Sequence, residues 1–438
     1  MVRANKRTAM VSLKSVSCAY ILFVMLLYAL SGPLIGRIVP FDMLQIALVV
    51  SVLFVELALI FRRPVAKSDI MYVIVILVMA VFPILSIRRS SWSIITIVYY
   101  IDALLFMVVM LNWTESFGLF EVMMAVYAFY AVCTIVFYFT PGFYRGRIVN
   151  LFPSMKDRLL RMYNQGYMPG FTDHYSTNGM FLAVGILLSF CRMRLKNTTA
   201  NKLVFALMII AMMMSGKRAH FLFSFFAVFI YYYCLQRRKG GNAISRWFRV
   251  AGIVLTVAVV LLIVMQYIPA LSAVLQRLRL SDTGGDISNG RFMLWRIAIN
   301  SIRSHPLRGI GWKTYANSLS WMYSTARTFD THNVYLQLLC ETGIIGFAVY
   351  MIWFVALYRL TFRVLVDAKL KLTRAAEQAL GFSMCFQTFF LLYCFTGNPL
   401  YEKIMFFPYF LSCGIALWAN AARRRQLRRD RIQHSEVE

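Results

Sequence analysis

Apolar residues fall in long runs broken by short polar and basic stretches, at roughly 15–35, 41–61, 69–87, 93–112, 117–140, 174–191, 201–216, 218–236, 248–268, 332–358, 376–396 and 403–421. A run of about 20 residues, wound as a helix, matches the apolar thickness of a bilayer. The pattern predicts an all-α integral membrane protein with about twelve transmembrane helices. The run 201–216 is short and is parted from the next by Gly216-Lys217-Arg218. One span across both would leave two cations in lipid, so two helices are expected there.

Two long breaks interrupt the series, at 141–173 and 269–331. Within the second, apolar residues at 294, 295, 298, 299 and 302 have helical spacing, and Ser288 or Asn289 is placed to cap an amphipathic helix starting near Arg291. Most of the 46 Lys and Arg residues fall in short loops on one side and in the two termini. Those segments are then cytoplasmic, and 141–173 and 269–331 are external loops. No internal repeat or linker divides the chain, so residues 1–438 are expected to form one membrane domain with an external helical cap.

Composition sharpens this picture. With 60% hydrophobic residues in 438, a soluble enzyme is excluded. The net charge of +28 punctuates apolar spans and forms no aromatic-interleaved stripe. It points to membrane lipids and phosphate-bearing lipids, with no nucleic acid. The eight cysteines lie in or beside apolar runs without CxxC or His/Cys spacing, so neither a redox pair nor a zinc site is expected. The basic start, Met1 to Lys14, leads into a run with no small-residue cleavage pattern and is expected to be a retained first helix.

The candidate chemistry gathers at the external ends. Arg291 would stand in the first turn of the amphipathic helix, where free N–H groups and the dipole favour a phosphate; the alternative is a solvated arginine on an interfacial helix. Lys217 and Arg218 form an outward corner, as phosphate contacts or as boundary cations that snorkel. His332-Asn333 opens the tenth span, His332 as a proton acceptor or as a cap. Glu341 lies nine residues further, at a depth that demands a partner, and Gly343 and Gly346 would let a neighbouring helix supply one. His174 and Asn178, in the polar run Asp173 to Asn178, either line the same cavity or cap a helix. Gly309-x-Gly311 after Pro306 is a turn, and no acidic pair or ligand cluster argues for a metal.

Together these residues resemble the O-antigen ligase and polymerase superfamily of bacterial membrane glycosyltransferases. The shared pattern is Arg291 with Trp295 and Ala298, then Pro306-Leu307-x-Gly309-x-Gly311, His332-Asn333 with Tyr335-Leu336, and Glu341-x-Gly343-x-x-Gly346; Ser215-Gly216-Lys217-Arg218 and Asn178 with Ala183 extend it upstream. The likeness spans roughly 174–350. It implies a GT-C-type fold and a multi-pass protein of the bacterial cytoplasmic membrane with its site on the outer face. The implied donor is an undecaprenyl-diphosphate-linked oligosaccharide, and the acceptor is a glycan, a lipid core or a protein. No cofactor or metal is implied. Arg218 and Arg291 would hold the diphosphate and His332 would be the general base. Lys217 departs from the small residue common beside that arginine. The residues do not separate a polymerase from a ligase. A flippase for the same lipid-linked oligosaccharide is the rival class, and it would call for internal repeats and charges near mid-membrane.

Overall fold

The computed structural model describes residues 2–30, 42–62, 65–111, 118–240, 245, 252, 290–317 and 329–435. Among them the regular structure is helical, with no strand. The apolar runs become α1 (Val2–Leu30), α2 (Asp42–Phe61), α3 (Ile70–Leu85), α4 (Ile94–Met110) and α5 (Gly118–Phe139). After α6 (Lys156–Asn164) come α7 (Tyr175–Leu195), α8 (Thr199–Ser215) and α9 (Arg218–Arg238). The remaining helices are α10 (Arg291–Ser304), α11 (Val334–Val366), α12 (Arg374–Tyr393) and α13 (Lys403–Ser435). The expected span 248–268, apart from residue 252, and about half of 269–331 lie outside the described residues.

Seven of these helices are long and apolar enough to cross a membrane, and Val16–Leu30, Ile94–Met110 and Thr199–Ser215 are shorter apolar helices. The protein is therefore an all-helical membrane protein. Local signals set the element ends. Ser93, Thr198 and Thr373 each accept a backbone N–H as N-caps, and Gly216, at φ 75°, closes α8 in the left-handed conformation that glycine adopts freely. This glycine makes the sharp α8–α9 corner and keeps Lys217 and Arg218 out of a continuous span.

The more polar α12 is a central helix, packed against α7, α9, α11 and α13. Its polar groups bond inside the bundle: Ser383 donates to Ser412 O at 2.6 Å, Gln387 donates to Ser383 at 3.1 Å, and Thr361 of α11 donates to Gln387 Oε1 at 3.1 Å. Paired polar groups of this kind are tolerated between membrane helices because none is left facing lipid.

One expectation changes. The α10 N-cap is Gly290 (φ 81°), with no side-chain cap bond, so neither Ser288 nor Asn289 holds that position. The segment 141–173, expected as an external loop, is itself folded. It consists of short helical turns and α6 around Tyr144, Ile148, Val149, Phe152, Leu159 and Met162.

Candidate functional site

Helix α10 is held over the start of α11 by apolar contact and two hydrogen bonds. Leu294, Ile297 and Ala298 pack with Tyr315 and Cys340. Trp295 Nε1 donates to Thr331 O at 2.9 Å, and the Tyr315 hydroxyl donates to Leu294 O at 2.6 Å. This fixes Arg291, the first residue of α10, close enough to act electrostatically on both His332 and Lys217. Burial and the charges of Arg291, Lys217 and Lys313, opposed by Asp330, hold His332 below its usual value. The imidazole is therefore neutral at pH 7. Burial, then Arg291, brings the Lys217 ammonium down to about 8, and its Nζ lies 5.5 Å from the centre of the Tyr175 ring. Arg218 starts α9 exposed to solvent, and it is Lys217 of this pair whose charge reaches His332.

The backbone beneath His332 is built for position. Among the described residues, the two non-glycine residues with positive φ are His332 (54°) and Lys313 (56°). A side chain in that region costs free energy that its surroundings must offset. The surroundings do so through Gln337, which is fully buried. Its Oε1 accepts from the Thr331 N–H and hydroxyl, each at 3.3 Å. Its Nε2 donates to Asp330 at 3.1 Å and to Glu341 at 3.0 Å. Asp330 in turn accepts from Lys313 Nζ at 2.6 Å. Burial raises the Asp330 carboxyl, but Lys313 and Gln337 outweigh it and hold it below the usual value.

Glu341 has the partner its depth demands, but not from a neighbouring helix. It accepts from the Lys313 N–H at 2.7 Å, the Tyr315 N–H at 3.2 Å and Gln337. The segment 306–315 reaches it because α11 breaks at Gly343 (φ 63°, ψ −172°), where Gly309 and Gly343 meet backbone to backbone. Gly311 N donates to Glu341 O at 2.8 Å and Ile344 N to Pro306 O at 2.9 Å, across the break. Gly346 does meet a helix: a Cβ there would lie 2.8 Å from Phe82 on α3.

Residues 203–351 match the family model for O-antigen ligase. Through this segment the chain is similar to the O-antigen ligases. None of the curated proteins matches it. The segment shared with the O-antigen ligases contains Lys217, Arg218, Arg291, Lys313, His332, Asn333 and Glu341, whereas His174 and Asn178 precede it.

Three of the expected site residues serve local structure. Asn333 caps α11, its Oδ1 accepting from Leu336 N at 3.0 Å. His174 caps α7, its Nδ1 accepting from Ser176 N at 3.1 Å; burial, then Arg158 and Lys217, lowers it to about 3, so it stays neutral. Asn178 is fully buried and bonds Thr134 at 2.9 Å and Met168 O at 3.1 Å, tying α7 to α5 and the preceding loop. Conversely, sequence reasoning assigned no role to Lys313, Asp330 or Gln337. Asp330 stands two residues before His332, and Gln337 stands one helical turn before Glu341. Those spacings were the available signal. Among the described residues no group of three or more His, Cys, Asp or Glu side chains is placed to hold a metal.

Proposed function

We propose that this protein is a member of the O-antigen ligase and polymerase superfamily and a metal-independent glycosyltransferase. It would move a glycan from undecaprenyl diphosphate to a hydroxyl of an acceptor glycan, lipid core or protein at the outer face of the bacterial cytoplasmic membrane. The supporting observation is the convergence of Arg291 and Lys217 on a neutral His332 held in a braced, left-handed turn. In this reading the external cap comprises 141–173 and 269–331 on a single membrane domain with a GT-C-type arrangement.

The chemistry follows from those groups. The acceptor oxygen bonds to the anomeric carbon as its proton passes to His332, and the electron pair of the breaking carbon–oxygen bond goes to the diphosphate. Arg291 and Lys217, with the α10 N-terminus, stabilise that growing charge, and exposed Arg218 is an outer contact. The Gln337–Asp330–Lys313–Glu341 network keeps the His332 turn in place.

The test is reconstitution of purified protein with a lipid-linked donor and acceptor in excess chelator. New glycosidic product supports the proposal. Loss of transfer in chelator with rescue by magnesium or manganese contradicts the metal-free chemistry. Movement of the donor across vesicles without product establishes the flippase reading instead.

A further inference from the structure

Two acidic side chains lie inside the apolar bundle, outside the segment matched to the O-antigen ligases and away from the proposed transfer site. Glu56 of α2 and Asp102 of α4 are both 0% exposed. None of their four carboxyl oxygens has a hydrogen-bond partner among the described residues. The two helices pack directly against each other, and Asp102 is close enough for its charge to act on Glu56. Neither takes part in an ion pair among the described residues.

Among the described residues, the neighbouring elements offer no compensating cation. From α1, Tyr20 bonds Ser51 and Tyr28 bonds Thr96. Tyr99, which feels Asp102, gives its hydroxyl to Met25 O at 2.9 Å. On α13, Lys403 sits over the Tyr28 ring and Arg424 pairs with Asp69, the N-cap of α3. The adjoining turns are apolar, with Val49 and Val52 on α2 and Ala103 and Phe106 on α4 all buried. Two bare carboxylates cannot persist in such surroundings: each loses its hydration, and the pair repels. Hard metal cations take roughly six or more oxygens, and the two carboxyls supply four. A proton needs only a donor and an acceptor oxygen.

We propose that Glu56 and Asp102 form a proton-binding site within the membrane, the acid O–H of one donating to a carboxyl oxygen of the other. The proton enters from water as α2 packs on α4 and returns to water when they part, so no co-reactant is needed. The shared hydrogen bond replaces hydration for both groups and fixes the α2–α4 register, a recognised role for polar groups in membrane helices.

Infrared spectra of purified wild type, Glu56→Gln and Asp102→Asn test this, because both amides keep size and hydrogen bonding while removing the titrating oxygen. At neutral pH the wild-type-minus-variant difference should contain a protonated-carboxyl carbonyl band that shifts in deuterium oxide. Melting temperature gives a second readout. The folded state holds a proton that the unfolded state releases, so wild-type stability should fall as pH rises above the ordinary carboxyl range of about 4, and the variants should lose less. A difference spectrum without that band overturns the proposal. So does wild-type stabilisation by sodium or potassium chloride, relative to choline chloride at equal ionic strength, that Glu56→Gln abolishes. Neither readout measures glycan transfer, so failure here leaves the proposed function standing.

Discussion

The two ends of the helical bundle spend their carboxylates differently. At the end away from His332, acids meet cations: Asp367 pairs with Arg423 and Asp69 with Arg424, both at 2.5 Å, Glu121 with Arg192 at 2.7 Å, and Glu377 with Arg238 at 3.7 Å. At the His332 end, Glu341 is occupied by backbone N–H groups and Gln337, and Asp330 takes Lys313. Arg291 and Lys217 make no ion pair among the described residues. Both ends are basic, but near His332 the unpaired charges are the half-buried Arg291 and Lys217, set beside a histidine. Unneutralised charge of this kind, rather than net charge, marks a candidate phosphate site.

The largest effect should come from removing the carboxylate that organises the His332 end. Glu341→Ala leaves the N–H groups of Lys313 and Tyr315 and one Gln337 contact without their acceptor. Each unsatisfied buried donor costs about 1–3 kcal/mol. Thermal unfolding should show the loss, and transfer should fall with it because segment 306–315 no longer seats against α11. Wild-type stability in this variant would mean that Glu341 is not the anchor.

Next is a matched pair of substitutions, one at each end. Arg291→Lys keeps the charge but loses the forked donor, so donor binding and transfer should fall by roughly 10- to 100-fold, the worth of about 1.5–3 kcal/mol for a hydrogen bond to a charged group. Arg424→Lys, in a pair already closed by Asp69, should leave transfer unchanged and shift stability by about 1 kcal/mol at most. Equal effects on transfer would erase the contrast between the ends.

A smaller effect should appear in the pH profile of kcat/KM, which reports the free enzyme. Activity should rise as His332 loses its proton, with a midpoint below the usual histidine value of about 6.5. It should fall again as Lys217 loses its charge near about 8. Lys217→Arg should carry the upper limb to higher pH, since arginine stays protonated. An unchanged upper limb would assign it to another group.

Most of the helices were legible because a membrane span has one dominant signal, an apolar run of fixed length. The runs ending at Ser215 and beginning at Arg218 were separable for the same reason, since lipid excludes a Lys-Arg pair. Arg291 in the first turn of α10 was legible from spacing alone. The hidden parts depend on a segment crossing to distant chain. Glu341 called for a partner, but its partners are backbone N–H groups of residues 313 and 315, which have no side-chain signature. Lys313 and Gln337 looked ordinary because their roles arise only when segment 306–315 lies in the Gly343 break. Glu56 and Asp102 could have been noticed as lone acids in apolar runs, but their pairing required the α2–α4 packing.

The most direct test of the central claim, that the His332 end combines a neutral base with unneutralised cations, is His332→Ala assayed for donor binding and transfer in the same preparation. Donor binding should remain near wild type while transfer falls by roughly 100- to 10,000-fold, the usual contribution of general-base catalysis. Near-full transfer by His332→Ala would contradict the base assignment. Loss of donor binding along with transfer would place His332 with Arg291 and Lys217 as a diphosphate contact.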